Sequence, residues 1–375
     1  MVNITCTSKE SDFPAYWIDG VFRMLLIFTG LTVNSMAIWI LLTTKKLQGL
    51  FNHLLVYLFA ANNFCLVCLT FLLLFHHLHF QTKSIICITA YLAYPFRDIL
   101  LTASVLITVC LSHERYTALQ DPHGYATNMA IARNRSQRLR KYVLFVAIFS
   151  LCFNCLKFFE FTVVEDENKL EIGETSLGGN INFKLCYIGI RMLIFLVVSF
   201  LTLIFSNCMT WKRITKTWKQ FNNIAADKQG DGSLTNKNSE YVGLKKIQHV
   251  KSLNKQQRLA FALFALVLVF AVCNGLFFAI ELTASLTDRR SCNFGPLTII
   301  RRMILTIYLC VNVFVYCMAS KEFRKYFLAY LQYLVSVITC NYVSKSNQQF
   351  PSTKWHTIEL KTKTHPERTE THPTK

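Results

Sequence analysis

The sequence predicts an all-α fold, a bundle of seven helices that cross a lipid bilayer. Three observations predict it: the composition, seven apolar segments of spanning length, and the uneven charge of the segments between them. Of the 375 residues, 53% are hydrophobic and only 16% are charged, and the mean hydropathy is +0.33. Soluble domains carry about 25% charged residues. Lipid therefore accounts for the excess of apolar surface better than a water-surrounded core does.

Seven segments are long and apolar enough to span the membrane. A helix needs about 20 apolar residues to cross the hydrocarbon layer. The fourth segment is the least regular, because Lys157 and Glu160 follow its apolar run. The predicted spans are Val21–Leu42, Phe51–Phe75, Ile85–Ser112, Tyr142–Val163, Cys186–Thr210, Leu259–Leu282 and Leu297–Ala319.

Lysine and arginine are concentrated in the segments that follow the odd-numbered spans. Cytoplasmic loops of membrane proteins carry such an excess, and here the opposite side is acidic. The N-terminus is therefore predicted outside and the C-terminus inside, in a multi-pass protein of the plasma membrane. This sidedness explains most of the net charge of +19. We expect the basic side to contact membrane lipid and expect no nucleic-acid partner.

Three regions follow from this organisation. They are an extracellular N-terminal segment (1–20), a seven-span domain (21–335) with a long inner loop (211–258), and a polar cytoplasmic tail (336–375) that is predicted to be disordered. The segment from Met1 to Tyr16 lacks the apolar stretch of a cleaved signal peptide, so the first span is expected to act as its own insertion signal.

Two positions match modification signals on the expected sides of the membrane. Asn3, in Asn3-Ile4-Thr5, is a predicted glycosylation site on the outer side. Cys340 follows an apolar stretch near the inner surface and is a predicted palmitoylation site, with an unmodified cysteine as the alternative.

The strongest local signal is Glu114-Arg115-Tyr116 at the inner end of the third span. An acid beside an arginine at a membrane boundary is costly unless the two are paired or functional, although snorkelling of both side chains to the interface is a simpler explanation. The tripeptide resembles the Asp/Glu-Arg-Tyr motif of rhodopsin-like G-protein-coupled receptors. This resemblance implies that Glu114 holds Arg115 at rest. On activation Arg115 is released and helps to form the cavity that receives a heterotrimeric G protein.

Partial motifs of the same family occur in the expected order over about residues 20–335. Asn34 lies in the first span, and Asn62 stands in the second where the family usually has Asp. Cys273 lies in a Phe-x-x-Cys stretch of the sixth span, while Asn312 and Tyr316 resemble Asn-Pro-x-x-Tyr, both stretches without the family's Pro. The resemblance implies that these residues belong to the activation switch. The basic, amphipathic segment Ser320–Phe327 resembles the short membrane-surface helix that follows the seventh span.

The departures from the family pattern carry two expectations. An amide is a weaker ligand for a hard cation than a carboxylate is, so Asn62 predicts little sensitivity to sodium. The inner end of the sixth span, Lys255-Gln256-Gln257-Arg258, has no acid that could hold Arg115 across the helices. A weakly held resting state with appreciable basal signalling is therefore expected.

A narrower resemblance lies at the outer end of the fourth span. The segment Asn154–Glu160 is similar to Asn-x-x-Arg-Phe-Phe-Glu of invertebrate FMRFamide-type receptors, and Tyr91, Tyr94-Pro95 and Cys273-Asn274 also resemble that branch. The alternative is a generic aromatic belt at the membrane interface. The branch implies a short, amidated neuropeptide as the extracellular ligand. The family further implies a disulfide between Cys87 and Cys186, whereas Cys6 and Cys292 either form a second bridge or remain thiols.

Charged and aromatic residues at the outer ends of the helices are candidates for ligand binding. They are Tyr91, Tyr94, Arg97, Asp98, Glu160, Phe277, Glu281, Arg301 and Arg302. Arg97 stands where an amine receptor has an acid, and the seventh span has no lysine for retinal. A peptide ending in Arg-Phe-amide would place its arginine against Glu160, Glu281 or Asp98 and its phenylalanine among the aromatic rings. The alternative for each charged residue is ion pairing between helices.

Other classes of membrane protein fit the sequence less well. In a transporter or channel the intramembrane charges would line a pathway, but the duplicated halves and broken helices of many transporters are not seen. Insect odorant-type receptors have seven spans in the opposite orientation. A receptor for an unidentified non-peptide ligand remains an alternative. The sequence predicts no enzyme, no metal site and no cofactor.

Overall fold

The chain is helical over most of the part that the structure describes. The computed structural model describes residues 16–44, 47, 49–77, 82–166, 169–198, 200–202, 204–213, 215–216, 265, 268–269, 271–280, 282–283 and 294–338. The chain divides into two compact units, Met1–Phe327 and Leu328–Lys375. Within the described ranges, five helices are long and apolar enough to cross a membrane: Trp17–Thr43, Leu50–Phe75, Lys83–Ala118, Ala132–Phe159 and Pro296–Met318.

The first three predicted spans are helices, and each observed helix is longer than its predicted span. The first consists of a π-helical turn, Tyr16–Phe22, and the α-helix Arg23–Thr43; the second is Leu50–His77; the third runs through Lys83–Ile88, the π-helical turn Thr89–Ala93 and Tyr94–Gln120. The π-helical turn precedes Pro95, whose ring nitrogen has no hydrogen to donate to an α-helical ladder. The third span continues past its predicted end at Ser112, because polar side chains at a helix end extend into water without breaking the helix.

The fourth predicted span, Tyr142–Val163, is wrong at both ends. The α-helix is Ala132–Asn154, followed by the 3-10 helix Cys155–Phe159. It begins earlier because the basic residues before Tyr142 continue the helix beyond the apolar run. It ends earlier because the chain turns at Glu160 into a strand. A separate inner-loop helix, Pro122–Ala130, precedes it and is capped by Asp121, whose Oδ1 accepts from the Gly124 N–H at 3.0 Å.

A two-stranded hairpin follows the fourth span and was not predicted. Strand β1, Phe161–Asp166, pairs with strand β2, Lys169–Glu174, in antiparallel register. Phe161 lies opposite Glu174, and Asp166 lies opposite Lys169. The acidic outer segment is thus an ordered element that joins the fourth span to the fifth.

The helix observed at the fifth predicted span, Cys186–Thr210, begins earlier, at Ile181. A short helix, Ser176–Gly179, leads to the α-helix Ile181–Arg191 and the π-helical turn Met192–Val198. The Asn180 side-chain oxygen accepts from the backbone N–H groups of Asn182 and Phe183 at 2.9 and 3.3 Å, which caps the helix at its true start.

The last elements are part of the sixth span, the seventh span and an amphipathic helix. The apolar helix Ala271–Ile280 lies within the sixth predicted span, whose other residues are mostly outside the described ranges. The seventh span is Phe294–Ala319 and is unbroken at Val313, where the resembled motif has proline. The amphipathic helix Lys321–Ile338 is longer than predicted. Ser320 Oγ accepts from the Phe323 N–H at 3.2 Å at its start.

The core lies between the first, second, third, sixth and seventh spans. Its buried side chains include Ile27, Leu66, Leu69, Val105, Phe278 and Leu309. Gly30 permits a close approach of the first span to the second and seventh, since a Cβ at this position would collide with Cys310 and Leu66. The packed spans hold the candidate residues at the inner and outer ends of the bundle.

Candidate functional site

At the inner end of the third span, the Glu114 carboxylate is buried and is bonded to the inner-loop helix and the fourth span. The Tyr125 hydroxyl donates to Glu114 Oε1, and the Tyr142 hydroxyl donates to Oε2 at 3.0 Å. Arg138 Nε lies 3.1 Å from Oε2. Burial and the bond to Glu114 raise the pKa of Tyr125, so its hydroxyl stays a donor. We call this group the Glu114 cluster.

Arg115 lies against the second span. Its guanidinium carbon is 3.7 Å from the centroid of the Phe51 ring, within the range of a cation–π contact. Its Nε is buried and has no hydrogen-bond partner. Among the described residues Arg115 forms no ion pair, so the hold of Glu114 on Arg115 that the family resemblance implies is not formed here. The neighbouring Glu114 is bound to other partners instead.

Tyr316 of the seventh span joins the same inner group. Its hydroxyl donates to Asn52 Oδ1 at 2.9 Å, and its ring lies 6.4 Å from that of Phe51 and 4.8 Å from that of Phe323. The second, third and seventh spans therefore meet at Arg115. The Tyr116 hydroxyl instead accepts from Gln120 Nε2 at 2.9 Å.

A layer of polar side chains crosses the middle of the bundle. Ser104 Oγ donates to Asn62 Oδ1 at 2.8 Å and lies 3.5 Å from the Tyr308 hydroxyl. Asn34 Nδ2 donates to the Leu309 carbonyl at 3.3 Å. The Nδ2 atoms of Asn62 and Asn312 are buried without a partner. Cys273 is a half-buried thiol. Three of the predicted switch residues, Asn34, Asn62 and Asn312, are thus buried amides.

At the outer end, Asp98 is the centre of an ionic cluster that joins three spans. Its carboxylate lies 3.1 Å from Arg97, 3.4 Å from Arg191 and 4.0 Å from Lys157. The Asp98 side chain is only 2% exposed. Arg191 also faces the ring of Phe277 at 6.0 Å, which extends the cluster to the sixth span.

Two further outer acids of the described spans, Glu160 and Asp19, are paired as well. Glu160 is buried, and its carboxylate accepts from Lys157 Nζ at 2.6 Å. Asp19 is bonded to Arg23 at 2.9 Å and to Arg302 at 2.7 Å, which ties the first span to the seventh. For Asp98, Glu160 and Arg302, the ion pairing that was the alternative to ligand binding is present in the structure.

The outer aromatic residues anchor the hairpin. Tyr94 stacks on Phe161 of β1 with centroids 4.5 Å apart, and the Tyr91 hydroxyl accepts from the Val163 N–H at 3.3 Å. Arg97 lies 5.5 Å from the centroid of the Tyr94 ring. The hairpin is therefore attached to the third span beside the Asp98 cluster.

The structure brings most of the predicted outer residues together around Asp98. Arg97, Tyr94 and Phe277 belong to this group directly or through Arg191, and Arg301 lies 5.9 Å from the Phe277 ring. Three predicted residues, Glu281, Asn3 and Cys340, lie outside the described residues. Cys87 and Cys186 are both free thiols in this structure, and their bridge stays a prediction.

Sequence reasoning missed Lys157, Arg191, Asp19 and Arg23 as members of the outer ion pairs. A signal existed for two of them, because Arg23 and Arg191 are each the single charged residue of a predicted span. Ionisable residues inside membrane spans are rare and are paired or functional. The partners of Glu114 had no such signal, since Tyr125 and Tyr142 lie in other elements.

Comparison with known proteins gives one family and one relative. Residues 33–317 match the sequence model of the family described as 7 transmembrane receptor (rhodopsin family). A protein of Drosophila melanogaster named FMRFamide receptor is 23% identical over 341 residues, which cover 85% of this chain and 54% of that protein. The chain thus spans about half the length of the curated relative it matches.

Proposed function

This chain belongs to the rhodopsin family of seven-transmembrane receptors, and on that premise we propose that it binds a short amidated peptide outside the cell and activates a heterotrimeric G protein inside. The family confirms the predicted seven-span fold and the location in the plasma membrane as a multi-pass protein. The name of the Drosophila relative supports a peptide of the FMRFamide type as the ligand.

The position of Arg115 is the main support for activation of a G protein. It lies where the second, third and seventh spans meet, and its buried Nε lacks a hydrogen bond. A buried cationic group without full hydrogen bonding costs free energy. A second conformation in which Arg115 contacts a bound G protein would supply the missing hydrogen bond. Glu114 would not oppose this movement, because it is bonded to Tyr125 and Tyr142.

The outer ion pairs specify how a cationic peptide would bind. Because Asp98 and Glu160 are both paired, the arginine of an Arg-Phe-amide ligand must displace a resident cation or use Glu281. Lys157 is the cation best placed for exchange, since it bonds Glu160 at 2.6 Å but reaches Asp98 only at 4.0 Å. The peptide's phenylalanine would lie near Phe277 and Tyr94.

A panel of amidated peptides tests the proposal in cells that express the full chain. We expect a peptide ending in Arg-Phe-amide to activate a G protein, measured by energy transfer between its Gα and Gβγ subunits. The same peptide with a free carboxylate should be about 100-fold weaker, because it loses the N–H donors of the terminal amide and its new charge must be desolvated. The R115A variant should bind peptide but give no signal.

Two outcomes contradict different parts of this proposal. If no amidated peptide acts on a receptor that is present at the cell surface, the peptide part is wrong. If R115A signals as well as the parent chain, the assigned role of Arg115 is wrong.

Sodium is expected to leave agonist affinity unchanged. The Asn62 carbonyl oxygen already accepts from Ser104, and the buried acids of the described residues lie at the ends of the bundle rather than in its middle. Competition binding in sodium chloride and in an organic-cation chloride of equal ionic strength measures this. The N62D variant supplies a carboxylate and should become sodium-dependent by about fivefold or more. Equal sodium dependence of both receptors would contradict the assignment.

A further inference from the structure

A cavity of about 440 Å³ lies between the inner-loop helix and the inner end of the fourth span. Its polar lining consists of Asn128 from the loop helix and of Asn134, Gln137, Arg138, Lys141 and Tyr142 from the fourth span. The residues from the fourth span recur at helical spacing, so they share one face.

The polar part of the lining has the chemistry of an anion site, and Met129 adds an apolar wall. Arg138 and Lys141 supply positive charge, the three amides supply N–H donors, and the lining contains no carboxylate. Lys141 is exposed and forms no ion pair with a described residue. A phosphate group offers the negative charge and the several acceptor oxygens that such a lining would bind.

The position of the cavity favours a lipid as the source of the phosphate. Its residues occupy the first turns of the fourth span, immediately before the apolar run that begins after Tyr142. This is the level of the headgroups of the cytoplasmic leaflet, which is anionic and attracts basic segments. Arg133 and Arg140 on the same helix are exposed and add to the local positive potential.

We propose that this cavity binds the phosphorylated headgroup of an inner-leaflet inositol phospholipid, through Lys141, Arg138 and the neighbouring amides. Its volume exceeds that of a single phosphate group and leaves room for a sugar-like ring. The acyl chains remain in the bilayer beside the fourth span.

The site shares two residues with the Glu114 cluster. Arg138 and Tyr142 line the cavity and also bond the Glu114 carboxylate. A phosphate in the cavity therefore competes with Glu114 for the Arg138 guanidinium. Lipid binding and the contacts of Glu114 are linked, and each changes the free energy of the other.

Binding of a fluorescent short-chain phosphatidylinositol bisphosphate to the purified full chain tests the site. K141E should weaken binding about tenfold, since it reverses a charge in the lining. R140E is the matched control: it reverses the neighbouring exposed charge, which does not line the cavity, and should change affinity by less than about twofold. Equal losses in both variants would mean diffuse attraction to a basic surface and would overturn the proposal.

Two further measurements fix the source of the phosphate and the link to Glu114. Inorganic phosphate and soluble inositol trisphosphate should compete at least about 100-fold less well than the lipid, because they lack the buried chains. Equal competition would overturn the lipid assignment.

E114Q should bind the lipid about threefold more tightly, because the Glu114 carboxylate no longer competes for Arg138. An unchanged affinity overturns the shared use of Arg138. These assays need neither peptide nor G protein, so their outcome is separable from that of the proposed function.

Discussion

Replacing Asp98 by alanine is expected to destabilise the folded receptor by about 3–5 kcal/mol. The Asp98 carboxylate is 2% exposed and faces Arg97, Arg191 and Lys157. Without it, the three positive charges lose the acid that they share. The buried Arg191 also loses its ion pair with Asp98. Thermal unfolding of the purified chain measures the loss. A thiol-reactive dye can report unfolding once the exposed thiols have been blocked, because Cys65, Cys110 and Cys310 are buried in the folded chain.

The matched control is the ion pair between Lys184 and Glu174. Its N–O distance of 2.8 Å is shorter than those between Asp98 and its cations, but its carboxylate is far more exposed, at 28% for Glu174 against 2% for Asp98. Exposed pairs contribute about 1 kcal/mol or less, so E174A should barely move the unfolding temperature. Equal stability of D98A and E174A would show that the Asp98 cluster does not hold the spans together.

A double variant separates the loss of a charge pair from the loss of packing. Asp98→Ala combined with Arg191→Met removes the acid and the most buried of its cations. We expect the double variant to recover part of the stability lost in D98A, because the remaining uncompensated charge is smaller. If the double variant is as unstable as the sum of the two single changes, the charges are not coupled.

This result also decides how ligand-binding data on Asp98 are to be interpreted. A weaker peptide response in D98A would follow from a loosened bundle as readily as from a lost contact with the ligand. Glu160 has the same difficulty, because it is buried against Lys157. A weaker peptide response in a variant of Asp98 or Glu160 must therefore be compared with the unfolding temperature of the same variant.

Local sequence patterns were sufficient for the fold but not for the partners of its charges. Hydropathy predicts the spans directly, because a helix in lipid must be apolar over its whole length. The distribution of lysine and arginine predicts their orientation. The start of the fourth span at Ala132 was missed, since a helix that leaves the membrane has no hydropathy signal. The hairpin Phe161–Glu174 was missed because two short acidic strands are stabilised mainly by distant contacts, such as Tyr94 on Phe161.

The contacts of the Glu-Arg-Tyr motif show the same limit more sharply. The tripeptide identified the family, yet the family pattern implied a bond between two adjacent side chains that the structure does not form. Glu114 instead binds Tyr125 and Tyr142, and Arg115 lies on Phe51. Contacts between different helices depend on how the spans are packed, and the spacing of residues along one helix does not contain that information.

Phe51→Leu is expected to raise basal G-protein activation about tenfold, provided that the chain signals as proposed. The contact of a desolvated arginine with an aromatic ring contributes about 2 kcal/mol, which biases a two-state equilibrium by about 30-fold. Leucine fills most of the space but has no ring to attract the guanidinium. Second-messenger production without ligand, normalised to surface receptor, measures the change.

Phe51→Tyr is the control, because it keeps the ring and should keep basal activity within about twofold of the parent chain. The comparison is decisive because Arg115 forms no ion pair within the described part of the chain, where Glu114 is bound to other partners. The sequence also has no acid in the Lys255-Gln256-Gln257-Arg258 stretch that precedes the predicted sixth span. If the ring is the restraint, F51L and F51Y must differ. If they signal alike, Arg115 is held by the packing of the helices as a whole, and the ring only fills space beneath it.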